Sequence, residues 1–209
     1  MSSKLDICNA ALQNLGANKI TSIDENSKGA IECKLRFNSA RRTLLQMGVW
    51  NFAIKRASLN RDVTAPAFNY AYSYTLPADF LYMVMTQLEE TYQGTSAKVY
   101  SNLYVHDLPG ITNIDKYRIE ADKLVTNDGE CGIIYVADIE DTQKFSATFT
   151  ELLTRYLTAM IAYRMTGSKS ERDTQYQIFQ QELDTALSID SQQGVFDRLE
   201  VSEFLSSRL

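Results

Sequence analysis

Histidine occurs once in these 209 residues, at His106. Any Ser-His-Asp or Cys-His nucleophile would have to pass through it, and its Val-His-Asp-Leu setting beside a turn reads as a surface position. Cysteine is almost as scarce. Cys8, Cys33 and Cys131 include no Cys-x-x-Cys pair, and with one histidine they offer no zinc-ligand spacing. Their odd number predicts free thiols and synthesis in a reducing cytoplasm. There is no Gly-rich phosphate loop. No apolar run approaches the roughly 18 residues of a membrane span, and Met1-Ser2-Ser3-Lys4 leads into a helical pattern instead of a secretory apolar core. Prolines number three. These absences predict a chain with no metal, no cofactor, no membrane span and no nucleophilic catalysis.

What is present is an ordinary globular balance, 44% hydrophobic and 22% charged. A chain of this length buries roughly 70% of its unfolded surface and needs no staple. The net charge of −5 hides a segregation: residues 28–61 carry +7 and residues 62–141 carry −9. Opposed blocks suit head-to-tail self-assembly, and they equally suit two solvated faces.

Helical spacing opens the chain. Leu5, Cys8, Leu12 and Leu15 make an apolar stripe ending at Gly16, a residue suited to a left-handed cap. Asp24 or Ser27 can cap a second helix carrying Ala30, Cys33, Phe37, Ala40, Leu44 and Met47 as a narrow seam that another helix must cover. Gly48 ends it, and Trp50-Asn51-Phe52-Ala53 follows with the only tryptophan. From Phe145 the helical period returns with Phe149, Leu152, Leu153, Tyr156, Leu157, Met160, Ile161 and Met165. Ser168-Lys169-Ser170-Glu171 is a capping box for a fourth helix bearing Tyr176, Phe179, Leu183, Ala186 and Leu187.

Between them the period is two. Phe68 to Tyr74, Leu81 to Met85, Lys98 to Val105, Tyr117 to Ala121, Leu124 to Thr126 and Gly132 to Ala137 read as short strands separated by turn signals. The expected fold is α+β: a four-helix bundle from 1–60 and 145–194, a small antiparallel β domain at 61–144 inserted between helices 2 and 3 as a sandwich or barrel, and a C-terminal docking tail at 195–209.

Three stretches carry a resemblance. They are Cys-Asn-Ala-Ala-Leu-x-x-Leu-Gly at 8–16, Ile-x-Ser-Ile-Asp-Glu-Asn-Ser at 20–27, and Ala-Arg-Arg-x-Leu-Leu followed by Trp-Asn-Phe-Ala at 40–53. Further on come Tyr72-Ser73-Tyr74-x-Leu76-Pro77-x-Asp79-Phe80, Tyr117-Arg118-Ile119-Glu120 with Leu124-x-Thr126, Tyr135-Val136-x-Asp138-Ile139-x-Asp141, and Met165-Thr166-Gly167. In this order they resemble the tail tubular protein A family, the head-to-tail adaptors of short-tailed bacteriophages, over most of residues 5–194. Two departures stand out: Glu120-Ala121-Asp122 replaces an expected turn glycine, and Ser202 to Arg208 is only loosely similar to the family's C-terminal Trp-Ile-x-x-Arg. The resemblance implies a structural virion protein made in the host cytoplasm. It would form a homo-oligomeric ring, a dodecamer, between the portal protein and the tail nozzle protein, with double-stranded DNA passing through without sequence specificity.

Candidate contact residues follow from charge and from the tail. Lys34 and Arg41 share a helix face, with Arg42 beside them and Lys55 and Arg56 beyond, a basic patch in an acidic chain that lacks a nucleic-acid reader. In the tail, Phe196, Leu199, Phe204, Leu205 and Leu209 are five large apolar residues beyond the last helix. They are candidates to dock on the portal, or to fold back on their own helices. The remaining chemistry lies in Glu89-Glu90 and in Asp138, Glu140 and Asp141. Two carboxyls about 5–10 Å apart can hydrolyse a glycoside, so a virion-associated peptidoglycan hydrolase is the alternative. Solvation or helix capping is the plainer account of the same residues. A cytoplasmic adaptor outside the virion is a third possibility.

Overall fold

The computed structural model describes residues 2–92, 95–101 and 117–192, excepting the side chains of 87–92 and 95–101. Helix α1 spans Lys4–Asn14. Ser3 caps it: its hydroxyl accepts from the Asp6 amide at 3.2 Å, while its own amide donates to the Asp6 carboxylate at 2.9 Å. The chain leaves α1 through Gly16 at φ +67, a left-handed turn that glycine adopts without steric cost. Helix α2 spans Lys28–Gln46, and Ser27 accepts from the Ala30 amide at its start. Helix α3 spans Ala147–Thr166, capped by Ser146 and closed by Gly167 at φ +73. Helix α4 spans Lys169–Ser191 and starts from the Ser168 hydroxyl, which accepts from the Glu171 amide.

Helix α3 packs along α4 and against α1. Its buried face holds Phe149, Leu152, Leu153, Leu157 and Ile161. Ile7, Cys8, Ala11 and Leu12 are buried on α1, and Ala30, Cys33, Phe37, Ala40 and Leu44 on α2. Met47, expected to complete the α2 seam, is exposed.

Among the described residues seven strands follow α2: β1 Ile54–Leu59, β2 Tyr72–Thr75, β3 Phe80–Tyr92, β4 Thr95–Ser101, β5 Tyr117–Glu120, β6 Lys123–Thr126 and β7 Cys131–Ala137. They form two antiparallel sheets. One has the order β1-β7-β3-β4, the other β2-β6-β5. Central β7 carries a continuous buried run from Ile133 to Ala137, as a strand covered on both faces requires. Strand β3 slips register between Phe80 and Tyr82 and again between Met83 and Met85, so the sheet bends there.

The expected four-helix bundle interrupted by a small sandwich or barrel is not the fold. Among the described residues the class is α+β with four helices, but the strands form two separate sheets after the second helix. Strand β1 lies inside the stretch assigned to the bundle. Its apolar signal is only Ile54, Ala57 and Leu59, broken by Lys55 and Arg56, and such charges are common on an edge strand. The described residues of Met1–Leu44, Trp50–Phe52 and Asp141–Leu209 form one compact unit, and those of Leu45–Val49 and Ala53–Glu140 form a second.

Candidate functional site

Clamps hold the ends of the elements, and most are built from the motif residues. In the first unit, the Trp50 indole N–H donates to the Leu44 carbonyl at 2.9 Å and thereby serves the last turn of α2, whose carbonyls lack intrahelical donors. The Trp50 ring meets Phe149 edge-on at 5.0 Å, and Phe52 does the same at 4.9 Å. Asn51 donates its backbone N–H to the Asp190 carboxylate at 2.8 Å and its side-chain amide to the same carboxylate at 3.0 Å. Asn9 closes the link after α1 by accepting from the Ile20 amide at 2.8 Å and donating to the Ile20 carbonyl at 3.0 Å. Glu25 gathers the Thr21 and Ser22 amides, and hydrogen bonds from Ser27 and Thr21 hold its carboxyl down to about 2.

The second unit has two carboxylate hubs. Asp79, of the Leu-Pro-x-Asp motif, accepts from the Tyr135 hydroxyl at 2.9 Å and pairs with Lys55. Burial alone would raise its pKa, but the Lys55 and Tyr135 bonds outweigh that and hold it below the ordinary value. Burial pushes the Tyr135 phenol up to about 12, with the Asp79 bond adding to it. Asp62 is the other hub. It accepts from Lys123 and Ser73 at 2.8 Å each and from Thr75 at 2.9 Å, and Lys123 first, then the two hydroxyls, hold it down to about 2. Beside it the Arg61 guanidinium lies 5.1 Å from the Tyr72 ring centroid.

This geometry revises the contact candidates. Arg41 is 2% exposed and belongs to the interior of its unit, not to a surface patch. Helical periodicity explains the error: Arg41 adjoins Ala40 and falls one turn before the buried Leu44 and Leu45. Arg42 and Arg56 are exposed. Lys34 pairs with Asp24 at 2.7 Å and Lys55 with Asp79, so part of the basic block is neutralised inside the subunit. Phe196, Leu199, Phe204, Leu205 and Leu209 lie outside the described residues, as do His106 and the side chains of Glu89 and Glu90. Of the carboxylates near the start of α3, Asp141 accepts from the Gln143 amide at 3.0 Å and caps a short 3-10 turn.

Among the described residues no three His, Cys, Asp or Glu side chains converge as a metal site, and no helix is long and apolar enough to cross a membrane. An open groove between α3 and α4 is lined by Tyr156, Ala159, Met160, Arg172, Asp173 and Tyr176. Arg172 is bound to Asp173 at 2.7 Å, so the groove offers aromatic and apolar wall in place of a spare charge. Exposed apolar residues also mark α2, where Ile31 and Leu35 sit one turn apart and Leu35 is 68% exposed. Sequence reasoning did not find the Asp62 hub or the Asp190 clamp. Lys123 is 61 residues from Asp62 and Asn51 is 139 from Asp190, separations that no local pattern reports.

No family model matches this sequence, and no curated protein does.

Proposed function

We propose that this chain is a head-to-tail adaptor of a short-tailed bacteriophage. It is a structural virion protein, assembled in the host cytoplasm, that forms a closed ring of about twelve copies. The ring joins the portal protein to the tail nozzle protein and lengthens the channel for the leaving genome. The observation that carries this reading is the ordered series of motifs from Cys8 to Gly167 that resembles the adaptor family. Its residues also have defined work: Asn9, Glu25, Trp50, Asn51, Phe52 and Asp79 each fasten an element end. A scaffold fastened in this way suits a part that must keep its shape inside a ring.

Charge supports the reading in a second way. Each chain is net −5, so a ring of them repels a phosphate backbone and lets it slide. Exposed Arg42 and Arg56 remain contact candidates, and the apolar tail with Phe196, Leu199, Phe204, Leu205 and Leu209 is the portal-docking candidate. Electron micrographs of the purified protein, alone and mixed with the portal ring of the same phage, test this directly. Rings that cap the portal are expected. A chain that stays monomeric and unbound at tens of micromolar overturns it. Removing 195–209 should abolish portal attachment while the helical spectrum persists. Sustained release of cell-wall fragments, tracking Asp138, Glu140 or Asp141, would replace the adaptor with the hydrolase.

A further inference from the structure

Three residue pairs of α1 and α2 fall in register. The Lys4 ammonium lies 4.8 Å over the Phe37 ring, Cys8 and Cys33 come next, and a Cβ added at Gly29 would meet Leu12 Cδ1 at 3.1 Å. Each rung advances four residues on α1 and retreats four on α2, which is the spacing of one helical face. The two helices therefore run antiparallel along this seam, and Gly29, lacking a side chain, leaves room for the Leu12 methyl groups. The cysteine pair is the middle rung, with both residues wholly buried.

The neighbouring Cys33 thiol, and burial with it, push the Cys8 thiol above its ordinary pKa. Cys131, on β7 in the other unit, is pushed up to about 12 by burial, with the Asp128 charge adding to it.

We propose that Cys8 and Cys33 are a redox pair that hydrogen peroxide closes into a disulfide, stapling α1 to α2. One sulfur of the pair attacks a peroxide oxygen, the O–O bond breaks, and the released hydroxide takes up that thiol's proton as water. The other sulfur then attacks the sulfenic acid so formed. An S–S bond forms, the S–O bond breaks, and hydroxide leaves with the second thiol's proton as a second water. Two thiols and one peroxide become one disulfide and two waters. With both thiols wholly buried, the oxidant must be small and uncharged and reaches them through transient opening of the helix pair.

The test treats the full chain with peroxide, quenches in denaturant with an alkylating agent, and maps the peptides. Mapping is needed because the six methionines also gain oxygen. The expected map joins Cys8 to Cys33 and leaves Cys131 alkylated, with the thermal midpoint raised by roughly 6–12 °C, as closing a loop of about 25 residues predicts. Cys131→Ser should keep both the link and the shift, and Cys33→Ser should lose both. Recovery of Cys8 and Cys33 as alkylated thiols, as sulfinic acids, or joined to Cys131 overturns the proposal, as does a link without any rise in midpoint.

Discussion

Removing the Trp50 ring is the sharpest test of how the first unit is held. The side chain is wholly buried, stacks edge-on against Phe149 at 5.0 Å and donates to the Leu44 carbonyl at 2.9 Å. An indole buries on the order of 200 Å², worth about 5 kcal/mol at 25 cal/mol per Å², an upper bound because unfolded chains already hide some surface. The hydrogen bond adds about 1 kcal/mol. Against this, part of the cavity collapses. Trp50→Ala should therefore cost about 3–5 kcal/mol, the range of aromatic truncations in cores. Trp50→Phe separates the two terms: it keeps most of the apolar area but leaves the Leu44 carbonyl without its donor, for about 1–2 kcal/mol. Urea unfolding followed by far-UV circular dichroism is the assay, since the only tryptophan is the residue being changed. A loss below about 1 kcal/mol in Trp50→Ala would refute the packing argument. Equal losses in the two variants would show that the hydrogen bond, not the ring, carries the joint.

Ala121 opens the two-residue turn between β5 and β6 at φ +55, a conformation costly for a side chain with a Cβ, so Ala121→Gly should stabilise by about 0.5–1 kcal/mol in urea melts; an unchanged or lower midpoint would contradict the strain. The folded pKa of Asp62 is depressed to about 2 from an ordinary 3.8, so the stability it confers is present above pH 4 and disappears as pH falls toward 2. Asp62→Asn should lower the melting temperature at pH 6 and match the parent near pH 2, whereas a constant gap at every pH would rule out the ionic hub. Reversing the two neighbouring arginines separates folding from assembly: Arg41→Glu, in the interior, should cost roughly 3 kcal/mol or more. The exposed Arg42→Glu should leave the melt within a few degrees and weaken ring formation in a salt-sensitive way.

The sequence disclosed the helices more fully than it disclosed the sheets. A helix repeats its buried face every three or four residues over many turns, so one misassigned position does little harm. On α1, Cys8 and Leu12 are buried as expected, while Leu5 and Leu15 are half-exposed and Ile7 and Ala11 complete the face. A four-residue strand has two residues per face and no such redundancy. Phe68, read as the start of a strand, is 76% exposed outside one, and the strand begins at Tyr72. Nor does alternation report pairing. That β1 joins β7 across 70 or more residues, and that β2, β5 and β6 form a sheet of their own, follows from closing contacts that no window spans. The charge blocks misled for a related reason. Ion pairs such as Lys123 with Asp62 and Lys55 with Asp79 use up charges that look free in a linear count.

Trp50, Asn51 and Asn9 are spent on bonds within one unit, and Asp79 on bonds within the other. Substituting them weakens the fold first, and any lost ring would be a consequence of that. A substitution that reports on assembly alone must fall on residues that are exposed and outside the motifs' clamps. Ile31 and Leu35 on α2 meet both conditions, and Lys28 and Arg36 on the same helix are exposed beside them. An apolar pair flanked by cations is the arrangement expected of an interface with a polar rim. Motif residues therefore identify the scaffold, and the surface between them is where a partner would be chosen.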